Sequence, residues 1–97
     1  MYLISIDSKA ARQLQKLDKT TQIRILKFLK HKVAQSNDPR SLGKSLSGSV
    51  LGSYTRYRVG DYRIICDIQD SIITVNVLKV GHRKEVYRGW VNRVCTC

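Results

Sequence analysis

Residues 53–68, SYTRYRVGDYRIICDI, decide the fold. Two runs rich in β-branched and aromatic side chains flank Gly60-Asp61, a connection short enough to force a tight hairpin. Alternation puts Thr55, Tyr57 and Val59 on one face of the first strand and Tyr54, Arg56 and Arg58 on the other. One side is therefore expected to be buried, and the opposite side wet and basic. A third apolar run, SIITVNVLKV at 71–80, comes after Gln69-Asp70, a second turn signal, so the three strands form an antiparallel meander.

Upstream, YLISID at 2–7 alternates and predicts a short first strand that joins the same sheet. Asp7 or Ser8 caps a short amphipathic helix in which Ala10, Leu14 and Leu17 recur at helical spacing. After the polar turn DKTT at 18–21, Ile25, Leu26, Leu29 and Val33 make the apolar stripe of a longer helix beginning near Thr20 or Thr21. Arg24, Lys27, Lys30 and His31 cover its remaining faces. The two helices are expected to form a hairpin over one sheet face. Residues 36–53, SNDPRSLGKSLSGSVLGS, read as mostly loop, anchored by Leu42, Leu46 and Leu51. The order strand, helix, helix, loop and three strands makes an α+β fold with one sheet face left open for a ligand.

The chain of 97 residues has room for one domain and one modest core. Its eighteen Lys and Arg against seven Asp and Glu leave a formal charge of +11, which attracts polyanions: nucleic acid, an anionic membrane surface or an acidic protein partner. No run of about 18 apolar residues exists, so a membrane span is not expected, and the start of the chain lacks the pattern of a secretory signal. A cytoplasmic protein is the expectation. Cys66 sits in an apolar strand and reads as a buried thiol. Cys95 and Cys97 lack a nearby second pair of ligands, so zinc is not expected.

The chemistry-bearing residues cluster late in the chain. Arg56, Arg58 and Arg63 come from one hairpin, and their guanidinium forks match phosphate oxygens. Arg63 stands among apolar neighbours, where a charge is expensive without a purpose. VGHRKEVYR at 80–88 then places His82, Arg83, Lys84, Tyr87 and Arg88 just after Gly81. The imidazole of His82 can exchange a proton near neutral pH. Tyr87 beside arginines is equipped to stack on an unpaired base. There is no P-loop, dinucleotide-binding glycine pattern, nucleophile elbow or carboxylate cluster of a metal-dependent nuclease. No cofactor and no metal is expected. Catalysis on RNA would therefore draw its nucleophile from the substrate's own 2′-OH.

At KLDKTTQIRILKFL (16–29), GKSLSGSVLGSYTRYRVGDYRIIC (43–66) and VLKVGHRKEVYR (77–88), the chain resembles the RelE/ParE toxin superfamily of type II toxin–antitoxin systems, in its RelE-like branch. The resemblance spans residues 1–88 as a single toxin domain and leaves 89–97 as a tail without an assigned role. It implies a RelE-like fold: an N-terminal strand and a two-helix hairpin packed on a twisted antiparallel sheet. It also implies a ribosome-dependent endoribonuclease that cuts mRNA in the A site, leaves a 2′,3′-cyclic phosphate and is neutralised by an acidic, co-expressed antitoxin. By motif position, Arg63, Arg83, Tyr87 and His82 take the catalytic places and Arg56 contacts the RNA backbone; Tyr54, Arg58, Lys84 and Arg88 are expected as further RNA contacts. Tyr54 and Arg56 stand where some members carry lysine, which leaves His82 and Tyr87 as the titratable candidates. The alternatives are a ParE-like gyrase poison or a catalytically weak homologue.

Overall fold

The computed structural model describes residues 1–45 and 54–84. Within them a strand β1 (Leu3–Ile6) leads to helix α1 (Ser8–Gln15) and helix α2 (Lys19–Phe28). A single π turn, Leu29–Val33, extends α2. A 3-10 turn at Pro39–Leu42 precedes β2 (Lys44–Ser45), and β3 (Tyr54–Val59), β4 (Tyr62–Gln69) and β5 (Thr74–His82) complete the fold. The strand order is β1-β5-β4-β3-β2.

Both helix starts are set by their caps. The Asp7 carboxylate accepts from Lys9 N at 3.1 Å, and the Asp18 carboxylate accepts from Thr21 N at 3.1 Å and from Thr21 Oγ1 at 2.6 Å. Aspartate satisfies amide donors that the first helical turn leaves without partners. Helix α2 thus starts at Lys19, slightly earlier than its threonines suggest. The expected stripe is the buried one: Ile25, Leu29 and Val33 lie in the core, and Leu26 is partly buried beside them.

The meander forms as expected, with Gly60 at φ 60° in the first central position of the two-residue turn. A positive φ there and not at Asp61 is the pattern of a II′ turn, whose twist suits a hairpin. β1 joins the sheet in parallel with β5, from Leu3 opposite Thr74 to Ile6 opposite Val77. The sheet is therefore mixed at that edge and antiparallel across its other pairings.

The third long strand is displaced from its expected bounds. It begins at Thr74 rather than Ser71, because Asp70–Ile72 winds into a 3-10 turn and Ile73 takes left-handed backbone at φ 49°. It then runs through Gly81 to His82 rather than stopping at the glycine. A β-bulge between Ile65 and Cys66 keeps Val75, Val77 and Val80 all in the core with Ile64, Cys66 and Ile68. The segment expected to be loop is ordered across 39–45, with Leu42 partly exposed, while Leu46 and Leu51 lie outside the described residues.

Candidate nucleic-acid interface

The pleat divides the candidate residues between two faces. Thr55 and Tyr57 are buried toward the helices, with Tyr57 opposite Ile64, so the alternate positions Tyr54, Arg56 and Arg58 belong to the other face. Arg58 lies directly opposite Arg63 in the β3–β4 pair, and Arg63 directly opposite Gly81 in the β4–β5 pair. Like charges facing each other across an antiparallel pair oppose folding. Gly81 leaves the space beside Arg63 without a side chain.

On this second face a cavity of about 360 Å³ is lined by Ser41, Leu42, Gly43, Lys44, Arg56, Arg58 and Arg63. Four of those side chains are cations, and among the described residues that line it none is a carboxylate. Arg63 is partly buried, and its Nη1 donates to Gly60 O and Tyr62 O, both at 3.1 Å. Main-chain carbonyls aim the guanidinium without neutralising it, which leaves its charge for an anion.

Bonds to Pro39 and from Arg40 hold the 39–44 segment against the sheet. Tyr57 Oη, buried, donates to Pro39 O at 2.7 Å, and burial pushes this phenol's pKa well above the usual tyrosine value. Arg40 donates to both oxygens of Asp70, at 3.0 and 2.9 Å, and to Ile68 O at 3.1 Å. Tyr2 Oη also donates to Asp70, at 2.8 Å. These bonds, Arg40's first, hold the Asp70 carboxyl below the usual carboxylate range. Gly43 then lies so close to β3 that a Cβ there would collide with the Arg56 carbonyl oxygen and come within 2.9 Å of the Tyr57 ring.

The structure brings Arg56, Arg58 and Arg63 together as expected, but not His82. That histidine is opposite Tyr62, its ring in edge-on contact at 5.8 Å, and lines a separate cavity with Gln13, Lys16 and Leu17 on the helix side of the sheet. Its Nδ1 accepts from Lys84 N at 3.2 Å. Strand alternation accounts for the separation: Gly81 shares the face of Arg63, and its successor takes the other side. Arg83 N donates to Asp61 O at 2.8 Å, which extends the pairing beside the β3–β4 turn, and its side chain is exposed. Lys84 is exposed as well. Tyr87 and Arg88 lie outside the described residues.

Sequence reasoning missed Lys44. It lies directly opposite Arg56 in a strand of only two residues. So short a strand shows no alternation to read. The one available signal is Gly43 before it, in a stretch whose other glycines and serines also suggest a loop.

Comparisons with known proteins bear on the family and the fold. Residues 4–87 match the family described as ParE toxin of type II toxin-antitoxin system, parDE. Toxin RelG of Mycobacterium tuberculosis is 31% identical over 87 residues, which cover 90% of this chain and 97% of that protein. Toxin RelE of the same organism is also 31% identical over 87 residues, covering 90% of this chain and 87% of that protein. Among solved structures, the toxin–antitoxin complex RelBE2 from M. tuberculosis contains a chain that superposes with a TM-score of 0.76 at 30% identity, covering 84% of this chain and 98% of its own. The chain belongs to the RelE/ParE toxin superfamily of type II toxin–antitoxin systems.

Proposed function

We propose that this toxin is a ribosome-dependent endoribonuclease that cuts mRNA in the A site without a metal ion. The observation that carries this reading is the groove of Lys44, Arg56, Arg58 and Arg63 on the sheet face opposite α1 and α2, rich in cations and lined by no carboxylate among the described residues. Such a groove suits a phosphate and the charge that grows on it as the neighbouring ribose 2′-OH attacks. The new bond joins the 2′-oxygen to phosphorus as that oxygen gives up its proton, the bond to the 5′-oxygen breaks as that oxygen takes up a proton, and a 2′,3′-cyclic phosphate and a 5′-hydroxyl result. Arg63 and Arg83 stabilise the phosphate, Arg56 and Arg58 hold the backbone, and Tyr87 stacks on the base. His82 acts as a positioning residue, because its contacts with Tyr62 and Lys84 brace the turn that carries Arg83. A ribosome that already holds the mRNA in shape supplies orientation that this small groove lacks.

The partner in this reading is a cognate antitoxin with an acidic surface suited to the +11 chain, as the RelBE2 structure is a toxin–antitoxin complex. No helix among the described residues is long and apolar enough to cross a membrane, and the proposed work on ribosomes places the protein in the cytoplasm.

Primer extension on an mRNA undergoing translation tests the reading, with and without ribosomes. Wild-type protein is expected to give codon-positioned cuts only with ribosomes, and Arg63→Ala to lower the cleavage rate by about 10²-fold or more while staying folded. Arg83→Ala is expected to do the same. A second reading rests on the ParE description of the matching family. Folded protein that stops growth yet never cuts translated mRNA, and instead accumulates gyrase–DNA breaks, would establish it.

A further inference from the structure

We propose that Lys44 is an RNA phosphate contact, delivered to the groove by Gly43 and held there as a partner to Arg56. The inference rests on the nuclease reading of the same groove. Lys44 and Arg56 are directly opposite each other in the β2–β3 pair, and both line the cavity that contains Arg58 and Arg63. Directly paired residues point to the same face of a sheet, with Cβ atoms roughly 5 Å apart. A phosphate between two such side chains is contacted from both strands.

The local construction favours a positioned lysine over a loosely tethered surface one. Tyr57 holds Pro39, Arg40 holds the following turn to Asp70 and Ile68, and Gly43 permits an approach to β3 that any Cβ would block. The residue presented at the end of this anchored run is Lys44. Its ammonium is a compact charge on a flexible stem, whereas the three arginines offer rigid forks. Lys44 therefore tracks a phosphate as the RNA moves, while Arg63, aimed by main-chain carbonyls, stays in place.

Salt dependence distinguishes a phosphate contact from a structural residue. Each phosphate contact with a single strand contributes about 0.7 to the slope of log affinity against log salt. Binding of a fluorescent single-stranded RNA by the intact protein is measured across a salt series for wild type, Lys44→Gln, Lys44→Arg and Arg63→Gln. Lys44→Gln is expected to reduce the slope by about 0.7 and to weaken low-salt binding about tenfold, with Lys44→Arg restoring both. An unchanged slope in Lys44→Gln beside a reduced one in Arg63→Gln overturns the assignment and leaves the nuclease reading standing. Wild-type protein that binds neither this RNA nor mRNA-programmed ribosomes overturns both. Thermal unfolding of each variant confirms that the native fold is compared throughout.

Discussion

Tyr57 links core to site in one side chain. Its ring is wholly buried and meets Phe28 edge-on at 5.6 Å, while its hydroxyl reaches the Pro39 carbonyl. Removing the hydroxyl leaves a buried acceptor without that donor, at a cost of about 1–3 kcal/mol. Tyr57→Phe is therefore expected to lower unfolding free energy by that amount in urea titrations. It should also weaken RNA binding, because the 39–44 segment loses its buried tether. The sequence showed which face Tyr57 occupies, since alternation does so for any strand. It did not show the Pro39 contact, which joins residues 18 apart through a stretch whose composition indicates only loop.

The β4–β5 connection shows what periodicity alone conceals. Ser71-Ile72-Ile73 continues the apolar run of β5 in sequence, yet Asp70–Ile72 is a 3-10 turn and Ile73 adopts φ 49°, ψ 48°. A β-branched residue is costly in left-handed backbone, by about 1–2 kcal/mol. Its carbonyl accepts from Leu3 N at 2.8 Å, which starts the parallel pairing of β1, so the turn conformation serves the docking of the first strand. The Ile73 side chain is half exposed and loses little packing when replaced. Ile73→Asn is expected to raise stability by about 1 kcal/mol, read as a higher urea midpoint at unchanged slope. An unchanged or lower midpoint would show that the isoleucine side chain offsets its backbone cost. The same limits explain the site: long strands advertised Arg56, Arg58 and Arg63, whereas β2 is too short to advertise Lys44. His82 was legible as a chemical candidate, but the parity that separates it from Arg63 required the register of β4 on β5.

At the scale of the molecule, charge sets the response to pH. Eighteen Lys and Arg oppose seven carboxylates, and two of those carboxyls, Asp18 and Asp70, are held below their ordinary range. Hydrogen bonds from Thr21 are the main cause for Asp18, and the bond from Arg40 is the main cause for Asp70. A carboxyl whose folded value is depressed binds protons more readily in the unfolded chain. It therefore contributes stability that is present above the unfolded value, about 3.9 for aspartate, and is lost as pH falls through the lower folded value. Acid also removes the negative charges that offset the cations, so self-repulsion grows in the same window. Unfolding monitored by circular dichroism is expected to show a stability plateau at neutral pH and a steep loss below about pH 4. Salt should restore part of that loss by screening the cations. Asp70→Asn should change neutral stability only slightly, because its exposed pair with Arg40 is weak, while flattening the acid slope. A variant with the wild-type acid slope would remove Asp70 from this account and leave Asp18 and the general charge imbalance to explain it.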